Sequence, residues 1–188
     1  IIADLQVHSR YSRATSKQLN LENLEKYARI KGLNLLGTGD ITHPEWLKEL
    51  KAGLREDDTG ILKSKSGFNF VLQGEISNIY TQDGKARRIH NLILAKNFDV
   101  VQQIQDALKK KGRIDYDGRP IFGFSCIELV EMMKNIDERI EIIPAHSWTP
   151  WYSLFGSMSG FDSVEECFKD QAKHIHAIET GLSSDPAM

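Results

Sequence analysis

Short apolar runs alternate with amphipathic stretches along almost the whole chain, and this alternation directs it to a layered α/β fold built from successive strand–helix units. Ile1 to Val7, Leu33 to Thr38, Phe68 to Gln73, Glu141 to Ala145 and Ile175 to Thr180 have the length of strands. Ile76 to Tyr80 and Arg88 to Leu94 flank Asp83-Gly84, which predicts a hairpin in an otherwise parallel scheme.

The intervening stretches carry helix punctuation. Leu21, Leu24, Ala28 and Lys31 share one side of a helix that Asn20 caps and Gly32 follows. Pro44 opens a second helix bearing Trp46, Leu47, Leu50 and Leu54. Val100, Val101, Ile104 and Leu108 mark a third over Phe98 to Lys111, closed by Gly112. Ser125 and Glu128 form a capping box for the helix through Met132 and Met133, and Asp162 and Glu165 cap another. Glu56 to Gly67 reads as a loop, and Trp148 to Gly160 as an aromatic, glycine-containing loop or lid.

About six strands result, and the 188 residues fall short of the roughly 250 of a closed β/α barrel. The expectation is one domain over 1–188, the first two-thirds of a longer one, with a further helix beginning towards Met188. The 24 basic and 26 acidic residues leave a net charge of −2, which gives no broad attraction for nucleic acid or membrane but permits a local basic patch. Cys126 and Cys167 form no CxxC pair, so a disulfide framework or thiolate zinc site is not expected. With no apolar run of membrane-spanning length and no signal-peptide pattern, the expected location is cytoplasmic, without a membrane partner.

The chemistry-bearing residues gather at the ends of the apolar runs. Asp4, Gln6 and His8 share parity, Asp40 follows Thr38 with His43 close behind, and Glu75 follows Gln73-Gly74. His90 lies in the strand after the hairpin, His146 ends Ile143-Pro144-Ala145-His146, and Glu179 ends the last run. In β/α barrels the C-terminal strand ends build the active site, and imidazole with carboxylate suits zinc, manganese or iron. A single histidine in such a place is weak evidence, but its recurrence in successive units is not.

Asp4-Leu5-Gln6-Val7-His8-Ser9 resembles the opening Asp-Leu-His-x-His-Ser motif of the PHP (polymerase and histidinol phosphatase) family. Thr38-Gly39-Asp40 resembles its second motif, Gly74-Glu75 its glutamate motif, and His90 and Pro144-Ala145-His146 the two that follow. Glu179 matches a later glutamate, and a helicase-associated branch of the family is the nearest in pattern. The resemblance implies a distorted (β/α)7-type barrel, here incomplete, holding two or three divalent metals (Zn, Mn or Fe). It implies His8, Asp40, Glu75, His90 and His146 as ligands, with Glu75, Asp40 and His146 also catalytic. Gln6, Asp4, His43 and Glu179 are further candidates for a ligand or supporting role. Gln6 stands where the family has His, Asp40 replaces another His, and the late Asp-x-His motif is absent.

Several residues keep two readings. His43 is either a ligand or a helix cap, and Asp4 either touches metal or accepts hydrogen bonds from nearby loops. Arg10 and Arg13 either hold a substrate phosphate or belong to a solvated loop, and Arg87 and Arg88 share that ambiguity. Trp148, Trp151, Tyr152 and Phe155 either stack on a base or pack beneath the loop. His174 and His176 have opposite parity to Glu179 and are expected to face away from the site.

The function so read is a metal-dependent phosphoesterase using activated water, acting on a small phosphorylated substrate or a nucleic-acid end. One rival is an amidohydrolase-like enzyme cleaving a C–N bond. The other is a degenerate PHP module that recruits DNA, a helicase or a DNA-repair partner.

Overall fold

The computed structural model describes residues 1–186, and a helix starting towards Met188 would lie outside the described residues. The strands are β1 (Ala3–Asp4), β2 (Leu35–Gly37), β3 (Leu54–Arg55), β4 (Leu62–Ser64), β5 (Asn69–Gln82), β6 (Lys85–Ala95), β7 (Ile121–Phe122) and β8 (Glu141–Pro144). The helices are α1 (Leu21–Ile30), α2 (Pro44–Gly53), α3 (Phe98–Lys109), α4 (Cys126–Ile136) and α5 (Val164–Phe168), with a 3₁₀ turn at Lys169–His174. The expectation of α/β layering holds, but the (β/α)7-type barrel does not. Among the described residues β1 pairs with β2 alone and β3 with β4 alone, which leaves the mixed sheet open.

The reason lies in two antiparallel pairings that break the parallel repeat. Asp83 and Gly84 both have positive φ, as a two-residue hairpin turn requires, and they join β5 and β6 into a long ribbon. The separate runs 68–73 and 76–80 are therefore one strand. The stretch expected to be a polar loop contains β4, which pairs antiparallel to both β3 and β5. No helix among the described residues is long and apolar enough to cross a membrane.

The chain divides into two compact units, the first comprising Ile1–Glu75 and Leu94–Pro120. Here β1, β2 and the start of β5 run parallel, pairing Ala3 with Leu35 and Leu36 with Phe70. Asn20 caps α1 through Asn23 N–H, and Asn97 caps α3 through Val100 N–H. Leu24, Trp46, Leu50, Phe70, Leu72, Ile104 and Leu108 fill its interior. Trp46 also donates its indole N–H to the carbonyls of Thr38 and Gly39, at 3.1 and 2.8 Å, which holds the turn leaving β2.

The second unit comprises Ile76–Ile93 and the chain from Ile121 onward. In it β7 runs parallel to β5, and the predicted Ser125–Glu128 capping box starts α4. Ser163, rather than Asp162, caps α5. The run 175–180 forms no strand; it follows the 3₁₀ turn as irregular chain, so the parity argument for His174 and His176 has no basis. Two backbone bonds nevertheless tie Glu179 to the end of β8, to Pro144 at 3.0 Å and Ser147 at 3.1 Å.

Candidate functional site

In the first unit the chain ends of β1 and β2 are drawn together by Gln73. Its fully buried side-chain oxygen accepts the backbone N–H of Val7 at 3.2 Å and of Gly39 at 3.1 Å. Gly39 has φ +70°, and a Cβ there would lie 2.9 Å from the Val7 carbonyl, so the close approach depends on glycine. His8 and Asp40, one residue beyond these anchors, are thereby placed side by side.

Asp40 is completely buried and adopts φ +48°, a conformation that aspartate tolerates better than most residues. One carboxylate oxygen accepts Ser9 N–H and Ser9 O–H, each at 2.6 Å, and Ser12 O–H at 3.0 Å. The other faces His8 Nδ1 at 2.9 Å. Asp40 therefore orients the imidazole, and its oxygens are already occupied by donors. His8 Nε2 in turn lies 3.2 Å from the buried Glu75 carboxylate. Arg119 approaches the same carboxylate at 3.3 Å, and the Gln6 amide at 3.5 Å.

Burial alone would lower the His8 pKa, but hydrogen bonds to Asp40 and Glu75 and their charges outweigh it and raise it to about 9. Folded above unfolded means that this contact stabilises the metal-free chain fully below about pH 6.5, and that the stabilisation fades as pH rises through about 9. Urea denaturation in chelator should therefore show stability falling across that window, and a flattened fall in His8→Gln. An equal slope in both proteins would overturn the assignment.

The second unit brings His90 and His146 together, with Nδ1 of the first 3.2 Å from Nε2 of the second. The Thr149 hydroxyl donates to the Trp151 carbonyl at 2.9 Å or the His146 carbonyl at 3.2 Å. Its oxygen, 2.9 Å from His146 Nδ1, is thus left to accept a proton from that nitrogen. This assigns the Nδ1–H form to His146 and keeps an Nε2 lone pair towards His90. His146 itself has φ +34°, and the Glu179 carboxylate accepts its backbone N–H.

The histidine pair fits a divalent cation. A tetrahedral site with Zn–N of about 2.1 Å has an edge of roughly 3.4 Å, near the spacing of the His90 and His146 nitrogens. In the first unit, two fully buried carboxylates converge on one imidazole, and a protonated His8 together with Arg119 balances their charge.

The other expected site residues fall elsewhere. Asp4 accepts the Gln6 backbone N–H at 3.2 Å and shapes the exit of β1. His43 occupies the N-cap position of α2, but its side chain makes no capping bond; it stacks on Tyr11 at 4.3 Å, and burial lowers its pKa. Arg10 is held by Glu49 at 2.5 Å, and the exposed Arg13 by Asp117 at 3.3 Å. His176 pairs with Glu141 at 2.9 Å. Gln73, Ser12, Arg119 and Thr149 were not anticipated as site residues. Only the turn-forming Asp117-Gly118-Arg119-Pro120 offered a signal.

No protein-family model matches the chain. An uncharacterized protein of Methanocaldococcus jannaschii, MJ0043, is 36% identical over 148 residues, covering 78% of this chain and 16% of that protein. Uncharacterized YqxK of Bacillus subtilis is 29% identical over 206 residues, all of this chain and 50% of that one. Among solved structures, the lesion-specific endonuclease PfuEndoQ of Pyrococcus furiosus superposes with a TM-score of 0.84 at 34% identity. The superposition covers 98% of this chain and 42% of that one. The chain is similar to Endonuclease Q.

A second Endonuclease Q structure, in complex with a 27-mer duplex substrate carrying an abasic lesion at the active site, gives a TM-score of 0.83. This chain spans half the length of these proteins or less. The findings overturn the resemblance to the PHP family, which rested on single residues at strand ends. Two of those positions, Gln6 and Asp40, already departed from the family pattern.

Proposed function

We propose that this chain belongs to a metal-dependent hydrolase that cleaves DNA at damaged positions. The observation carrying the reading is the His90–His146 pair, whose orientation Thr149 and Glu179 fix. Similarity to lesion-specific endonucleases supports the choice of DNA over a small phosphoester. His90, His146, His8 and Glu75 are the residues we assign to holding divalent ions of the zinc or manganese type. A bound ion would acidify a water molecule and offset charge on the phosphodiester oxygens.

The chain's own residues prepare that chemistry. Asp40 holds His8 through Nδ1 and leaves Nε2 to the Glu75 side. Thr149 directs the His146 lone pair to the same side as His90. Arg119, one-third exposed and paired with Glu75, is suited to meet a phosphate oxygen from solvent. A helicase or other DNA-repair protein as a partner has no support in this geometry.

The test is metal analysis of the chain after reconstitution with Zn²⁺ or Mn²⁺, together with cleavage of an end-labelled duplex carrying one abasic site. Retained metal and chelator-sensitive strand scission are expected. Metal-free protein after reconstitution would overturn the reading of a metal-dependent hydrolase. Release of an amine without strand scission would favour the C–N hydrolase.

A further inference from the structure

We propose that Trp151 and Arg88 form a stacking platform for a nucleobase beside the His90–His146 pair, an inference that rests on the function proposed above. The four aromatic residues of the loop after β8 have separate situations. Trp148 and Phe155 pack on each other at 5.1 Å, which accounts for them as support of the loop. Tyr152 lies against His90 at 4.6 Å. Trp151 remains, 44% exposed, with the Arg88 guanidinium 4.9 Å from its ring.

The backbone is shaped to this end. Tyr152 has φ +61°, which is uncommon for a bulky side chain and is found where surrounding structure enforces it. That turn sends Tyr152 to His90 while its neighbour Trp151 stays at the surface. The Trp151 carbonyl is bonded to the Thr149 hydroxyl, the same group that meets His146 Nδ1. One threonine therefore links the position of the exposed indole to the orientation of the imidazole.

Arg88 alternates with Arg87 along β6 and shares a strand face with His90. It has no ion-pair partner among the described residues, whereas Arg87 is buried against Phe161 and the Gly160 carbonyl. A guanidinium 4.9 Å from the Trp151 ring and 6.0 Å from the Tyr152 ring keeps its N–H edges for a phosphate. An exposed indole with an adjacent cation matches one nucleotide: base on the ring, phosphate on the arginine. The chain's net charge of −2 supplies no general affinity for DNA, so retention must come from local contacts of this kind.

Binding in chelator tests the platform without the chemistry. Fluorescence anisotropy would compare a short labelled oligothymidylate with a strand of equal length that is abasic throughout. Trp151→Ala should weaken binding of the thymidine strand by roughly 5- to 100-fold, with the abasic strand little changed. Trp151→Phe should recover most of the loss, and Arg88→Ala should weaken both strands. Unchanged binding of the thymidine strand by Trp151→Ala, or an equal loss on both strands, would overturn the proposal. If the base preference holds but no metal supports cleavage, the platform stands and the proposed hydrolase does not.

Discussion

Asp40→Ala is expected to destabilise the chain by about 3–5 kcal/mol, the range for removing one partner of a buried charged network. Asp40 has no exposed surface and gathers four contacts, from Ser9 N–H, Ser9 O–H, Ser12 O–H and His8. Its removal takes the acceptor from those donors and leaves the raised-pKa imidazole of His8 with Glu75 and the Ser12 hydroxyl. Urea denaturation at pH 6, where His8 is protonated, measures the loss directly. A change below about 1 kcal/mol, the usual effect of a surface substitution, would show that the carboxylate is not the centre of this network.

A companion variant probes the same point from the opposite wall. Gly118 is bonded to the Tyr11 carbonyl and, through its own carbonyl, to Thr42. A Cβ at Gly118 would run into the Asp40 carboxylate and the Ser12 hydroxyl. Gly118→Ala should cost about 1–3 kcal/mol by overpacking, and should also lower the His8 pKa as the carboxylate is displaced.

The parts of this fold that the sequence revealed are those governed by local chemistry. Asn20 and Ser125 cap helices where their side-chain oxygens reach N–H groups three residues on, and Asp83-Gly84 turns because it accepts positive φ. The sheet order was not legible, since it depends on which distant strands meet. Strand β4 is hidden in a stretch whose polar composition mimics a loop, and Leu54 of its partner β3 continues the apolar pattern of the helix before it. The run 175–180 has the composition of a strand but takes only isolated bonds to the end of β8.

The site divides in the same manner. His8, Glu75 and His146 are expected from the apolar runs that they close or follow, and His90 from its strand after the hairpin. Their supports could not, because Gln73 bridges to Val7 and Gly39 across more than thirty residues. Asp40 is expected as a ligand from its position; in the structure its carboxylate meets His8 Nδ1 and three donors from Ser9 and Ser12. Residue type and strand position nominate candidate residues, whereas the hydrogen bonds show which of them their neighbours hold in place.

His146→Ala should have the largest effect on activity. With one imidazole of the pair gone, we expect the chain to lose metal on dialysis and cleavage to fall on the order of 10³-fold, several kcal/mol of transition-state stabilisation. Thr149→Val separates ligand from orientation. It keeps both imidazoles but removes the hydroxyl that holds His146 in its Nδ1–H form. Loss of such an orienting partner typically costs 10–100-fold in metal affinity or rate, so Thr149→Val should fall between wild type and His146→Ala. Metal content by mass spectrometry and single-turnover cleavage at saturating metal distinguish the causes. If excess metal restores Thr149→Val but not His146→Ala, Thr149 acts through the imidazole's affinity for the ion. If His146→Ala retains metal and cleaves as wild type, the pair is a buried hydrogen bond and the catalytic reading is lost.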